Sequence, residues 1–74
     1  MPPLPVVSGE EAIATLERFG YRRDRQKGSH VRMKAEGRLP VTVPLHRELK
    51  VGTLRSIIRT AGVSVEEFTV ALDR

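Results

Sequence analysis

The chain has no cysteine and no tryptophan. Without cysteine there is no disulfide, no thiolate ligand for zinc and no thiol nucleophile. A small domain that folds without disulfides fits a reducing compartment, most simply the cytoplasm. Aromatic residues make up 4% of the chain, so platforms for stacking bases are scarce, which argues against sequence-specific reading of single strands by aromatics. Long apolar runs are missing as well. The longest stretch free of charge, Met1 to Gly9, is broken by three prolines. A membrane span needs about 20 apolar residues and a secretory signal needs a basic start, so neither is expected. There is also no Walker or GxGxxG glycine loop and no HExxH or other paired-ligand spacing. Two histidines, His30 and His46, are too few ligands for a metal site, and most carboxylates lie outside the basic region. Neither metal nor cofactor is expected.

What is present is a single small domain of 74 residues, 39% hydrophobic and 30% charged. Such a chain buries about 60% of the surface it exposes when unfolded, so its core is modest. Residues 1–7 read as a Pro-rich lead-in and residues 8–74 as the domain. The net charge of +4 is unevenly spread. Residues 1–17 carry three acids and no base, residues 18–59 carry twelve bases against three acids, and residues 60–74 carry one base against three acids. Ten of the thirteen bases are arginine, whose planar fork suits phosphate. A basic middle between acidic ends is what a polyanion-binding surface requires. The plainer alternative is a solvated charged face.

Ser8 with Glu11 has the spacing of a capping box and opens a helix to about Phe19, with Ala12, Ile13, Leu16 and Phe19 on one side. Gly20 is placed to end it in a left-handed cap. Tyr21–Gln26 has almost nothing apolar to bury, so as a strand it belongs in the open or at a sheet edge. Lys27-Gly28 reads as a turn. Over Ser29–Lys34, Val31 and Met33 alternate with His30, Arg32 and Lys34. A connection around Gly37 leads to Leu39, Val41 and Val43, which share a parity that can bury, while Pro40 and Pro44 confine that strand to a short length or an edge. Leu45–Lys50 reads as polar connector. Leu54, Ile57, Ile58 and Ala61 then form an apolar stripe at helical spacing, stopped by Gly62, with Arg55 and Arg59 on the outer side. Ser64 with Glu67 is a second capping box before a short helix. The expected fold is α+β, with a three-stranded antiparallel sheet covered on one face by helices.

His30 is the residue with chemical promise. The alternation sets it with Arg32 and Lys34, just after Lys27-Gly28-Ser29. Imidazole is the side chain that titrates nearest neutral pH, and a neutral imidazole beside a phosphate-holding cluster serves as a general base. RNA supplies its own nucleophile, the 2′-OH. Such a site cleaves without metal, with Lys or Arg stabilising charge on the transition state. The plainer readings are a solvated strand histidine, a loop role for His46, and a solvated helix face for Arg55 and Arg59.

Several short motifs occur in order: Gly28-Ser29-His30, Val41-Thr42-Val43-Pro44, Gly52-Thr53-Leu54-Arg55-Ser56-Ile57, Ala61-Gly62-Val63-Ser64 and Glu66-Glu67-Phe68. Together they resemble the HicA (YcfA-like) family of toxins from toxin–antitoxin systems, over Ser8 to Leu72. The resemblance implies a double-stranded-RNA-binding-domain-like α-β-β-β-α fold, ribosome-independent cleavage of mRNA with His30 as catalytic residue, and a HicB-type antitoxin that covers that histidine. Lys27, Gly28, Ser29, Arg32, Lys34, Arg55 and Arg59 are then the expected RNA-binding set. The strand before Gly28 departs from the family pattern in being less apolar; its three arginines either extend the RNA-binding face or weaken the sheet. Two other readings of the same charge stand beside this one: a non-catalytic duplex-RNA-binding module, and a basic protein that binds only an acidic partner.

Overall fold

The structure is a computed structural model that describes residues 3–72; Met1 and Pro2 of the lead-in, and Asp73 and Arg74 of the acidic end, lie outside the described residues. The order is α1 (Gly9–Glu17), β1 (Arg22–Lys27), β2 (His30–Ala35), β3 (Arg38–Pro44), α2 (Val51–Ala61) and α3 (Val65–Leu72). The strands form one antiparallel sheet in the order β1-β2-β3. The expected α+β architecture is therefore observed, with both β1 and the proline-bearing β3 at sheet edges. None of the helices among the described residues is long and apolar enough to cross a membrane.

Each helix begins or ends where local chemistry requires. The Ser8 hydroxyl accepts from the Glu11 N–H at 3.0 Å, and the Glu11 carboxylate accepts from the Ser8 N–H at 2.9 Å. The helix stops at Glu17, two residues before Phe19. The chain then tightens: Phe19 N–H donates to the Leu16 carbonyl, Gly20 N–H to that of Glu17, and Tyr21 N–H again to that of Leu16. Gly20 takes the left-handed conformation, φ 94°, that lets the chain reverse into β1. In α2 the expected stripe of Leu54, Ile57, Ile58 and Ala61 is buried, and Gly62 closes the helix at φ 77°. The Arg38 guanidinium donates to the last carbonyl of α2, Ala61 O, at 2.8 Å and lies 5.8 Å above the Phe19 ring, a cation at the negative end of a helix.

One face of the sheet supplies the core. Val31, Met33, Val41 and Val43 are buried against Ile13, Leu16, Leu54, Ile58 and Phe68, with α2 and α1 both packed on β3, and α3 on α1. Three residues contribute that no periodicity singles out. Val7 is buried and its carbonyl accepts from the Leu49 N–H at 2.8 Å, so the connector, expected to be polar throughout, inserts Leu49 into the core. Tyr21 is also buried, with its hydroxyl donating to the Leu39 carbonyl at 2.6 Å; burial pushes its phenol above the ordinary range, and nearby Arg38 partly opposes this.

Leu39 corrects an expectation. It is 65% exposed and does not share the burial of Val41 and Val43. The cause is an extra residue in β3: Met33 faces Val41, but Ala35 faces Arg38, where regular pairing would give Leu39. The bulge reverses the phase of the strand, and Pro40, with no N–H to contribute, falls within it.

The second capping box carries a pH prediction. Glu67 accepts from the Ser64 N–H at 2.8 Å, while its own N–H donates to the Ser64 hydroxyl at 3.0 Å. These bonds to Ser64 hold the Glu67 carboxyl below the usual range. A carboxyl lowered by folding contributes stability above its unfolded value and loses it as pH falls through the folded one. Acid titration of Glu67→Gln, followed by circular dichroism, is expected to give a flatter stability curve in that window than the parent. Parallel curves would show that the cap contributes nothing.

Candidate nucleic-acid interface and histidine site

The hairpin between β1 and β2 turns on two residues, Gly28 and Ser29, with Lys27 paired to His30 across it. Gly28 sits at φ 59°, a conformation that disfavours any side chain. The Gln26 amide donates to its carbonyl at 3.0 Å. The Ser29 carbonyl accepts from the Leu45 N–H at 2.7 Å, tying the start of the connector to the turn. His30 thus begins the central strand with Lys27 on one side and Pro44 on the other. Its side chain is exposed, while the next residue, Val31, is fully buried.

Residues paired across antiparallel strands share a face, so the register gives the composition of the open side of the sheet. One row is Lys27, His30 and Pro44; the next is Arg25, Arg32 and Thr42; beyond them Arg22 faces Lys34. Asp24 is the single acid of this strand, and its carboxylate pairs with Lys34 at 3.4 Å. The other side of β1 has a different character: Arg23 reaches back to α1 and binds Glu10 at 2.7 Å.

The structure accordingly brings Lys27, His30, Arg32 and Lys34 onto one exposed face, with Gly28 and Ser29 in the turn at its end. Arg55 and Arg59 are exposed on α2, in the layer that covers the opposite face of the sheet. His46 is exposed on the connector, and its carbonyl accepts from the Gly9 N–H at 2.8 Å. Of the three arginines in the strand before Gly28, Arg22 and Arg25 lie on the His30 face and Arg23 does not; Thr42 joins that face without having been singled out from sequence. A period-two reading of β1 puts Arg25 and Lys27 on opposite sides from Arg22, and only the register shift between Arg23 and Arg25 reunites them. Tyr21 is buried and so offers no stacking surface. Among the described residues no three His, Asp or Glu side chains gather to hold a metal. A separate open depression of about 400 Å³ lies between the end of α1 and α3, lined by Phe19, Glu66, Glu67, Val70 and Ala71.

The same outline recurs in known proteins. No curated protein matches the chain. A solved structure does: a chain of a toxin–antitoxin complex from Streptococcus pneumoniae is 36% identical, with a TM-score of 0.68 over 77% of this chain and 98% of that one. The family profile described as HicA toxin of bacterial toxin–antitoxin systems matches residues 9–63. That span runs from the first residue of α1, through the Gly28-Ser29-His30 hairpin and the whole sheet, past the glycine that ends α2. The chain belongs to the HicA toxin family.

Proposed function

We propose that the protein is the toxin of a type II toxin–antitoxin pair, an mRNA endoribonuclease that acts in the cytoplasm without a metal and is inhibited by a HicB-type antitoxin. HicA toxins in general cleave RNA. The observation that carries the reading is an imidazole exposed at the start of the central strand, on a sheet face made of Lys27, Arg25, Arg32, Arg22 and Lys34.

In the proposed reaction the neutral His30 imidazole takes the proton of a ribose 2′-OH. The 2′-oxygen forms a bond to the adjacent phosphorus as the bond from phosphorus to the 5′-oxygen breaks. The departing 5′-oxygen receives a proton, which the same imidazole, now charged, returns. The products are a 2′,3′-cyclic phosphate and a 5′-hydroxyl. Lys27, directly across from His30, stabilises the charge that builds on the phosphorane-like transition state, and Arg32, one row along, holds phosphate. Lys34 holds phosphate further along, exchanging its bond with Asp24 for one with RNA. Gly28 and Ser29 fix the turn that sets the histidine at the strand's start. Arg55 and Arg59 engage a more distant part of the RNA from the helical layer. An antitoxin that covers the His30 face inhibits by excluding the substrate.

The test is incubation of purified protein with RNA in excess chelator, followed by analysis of the ends. Cleavage with 2′,3′-cyclic phosphate and 5′-hydroxyl termini is expected. RNA that is bound yet stays intact over hours would leave a duplex-RNA-binding module as the function. Absence of any affinity at low salt would favour a basic protein that binds only an acidic partner.

A further inference from the structure

The face around His30 carries an electrostatic cost in the free protein. Arg25 lies directly across from Arg32, and Arg22 across from Lys34. Like charges in directly opposed positions destabilise a strand pair. Among the described residues, no carboxylate pairs with Arg22, Arg25, Lys27 or Arg32; the one acid of β1, Asp24, is engaged with Lys34. β1 gains no apolar burial in return, since all six of its residues are exposed. A bound anion between the opposed guanidinium groups removes the repulsion and gains two forked donors.

The arrangement depends on the extra residue in β1. Pairing runs Arg22 to Lys34 and Arg23 to Met33, then resumes at Arg25 to Arg32, so Asp24 and Arg25 together oppose a single residue. Strict alternation through Asp24 would turn Arg25 and Lys27 toward the helices and set Gln26 beside His30. The bulge holds both cations on the histidine's side, as bulges re-aim side chains elsewhere. Same-face rows of a strand are two residues apart, or about 7 Å. The Arg25–Arg32 pair therefore stands about that distance from the Lys27–His30 row.

From this we infer that Arg25 and Arg32 form a second phosphate-binding subsite, which holds a phosphate neighbouring the one at His30 and so fixes where the RNA strand lies across the sheet. The inference rests on the reading of this face as RNA-binding, and adds to it a specific residue, Arg25, and its partner. Arg23 provides an internal control. It is two residues away, carries the same charge, and faces the other side in contact with Glu10.

The test measures binding of a 2′-O-methyl RNA oligonucleotide, which lacks the attacking hydroxyl, to the full chain by fluorescence anisotropy across a salt series. Arg25→Ala is expected to bind about tenfold more weakly than the parent, with the salt slope reduced by about 0.7, the value for one fewer phosphate neutralised on a single strand. Arg23→Ala is expected to stay within about twofold, and Arg25→Lys to recover only part of the affinity, since it restores the charge without the fork. Equal losses in Arg25→Ala and Arg23→Ala would reduce the effect to net charge and overturn the subsite. Unchanged binding in Arg25→Ala would overturn it as well. Either result, obtained while the parent still binds the oligonucleotide and cleaves RNA, removes the subsite alone. A parent that fails to bind even at low salt removes the RNA reading of the whole face and the subsite with it.

Discussion

Exchange of His30 for alanine is expected to lower RNA cleavage by about 10² to 10⁴-fold, the range a positioned general acid–base contributes, while leaving RNA affinity nearly intact. The separation follows from position. His30 is exposed, so its truncation opens no cavity, and its backbone pairing with Lys27 and Pro44 does not depend on the ring. The surrounding cations, which carry most of the attraction for a polyanion, stay where they are. Cells that lack an antitoxin should therefore arrest on induction of the parent and grow on induction of His30→Ala, with matching loss and retention of mRNA. Purified His30→Ala should still shift an RNA oligonucleotide. Equal growth arrest and equal RNA loss in both would remove this side chain from the mechanism.

The largest effect on stability is expected from a residue with no side chain. Gly9 is buried where α1 begins against the end of β3. A β-carbon there would overlap the Pro44 carbonyl and come within 2.9 Å of Leu45 Cα. Both obstacles are backbone, which cannot rotate aside as a flexible side chain does. Relief requires α1 to move off the sheet, at the expense of the bond from Gly9 N–H to the His46 carbonyl. Gly9→Ala is thus expected to cost about 3 kcal/mol, the upper part of the range for overpacking, a large share of what a domain of this size possesses. Because Pro44 pairs with His30 and Leu45 with Ser29, the same change should also disturb the histidine. A denaturation midpoint equal to that of the parent would show that the junction yields more easily than its geometry implies.

The amount legible in the sequence differs between elements for physical reasons. Both capping boxes, the stripe of α2, and the alternation of Val31 and Met33 against His30, Arg32 and Lys34 are local patterns, set by bonds within a few residues or by a strict period. They recur in the structure unchanged. What escaped depends on contacts between distant parts of the chain. Leu39 and Arg25 both stand next to an inserted residue, and parity counts correctly only while the ladder is regular. Tyr21 lies in a segment with little to bury, yet the Gly20 reversal carries its ring inward and the Leu39 carbonyl receives its hydroxyl. Val7 and Leu49 are lone apolar residues with no period, joined only because one's carbonyl meets the other's N–H. For the candidate site the distinction is similar. The place of His30 on the open face follows from its own strand, whereas the full set of cations around it is settled by pairing between strands.

The guanidinium-rich edge has a consequence for the isolated protein. Edge strands with free N–H and C=O groups are where like molecules join into fibrils. Here any two copies that approach along Arg22–Lys27 bring three guanidinium groups each to the seam, with no apolar side chain to reward the contact. Concentrated preparations should accordingly stay dispersed at low ionic strength, and their solubility limit should fall as added electrolyte screens the seam.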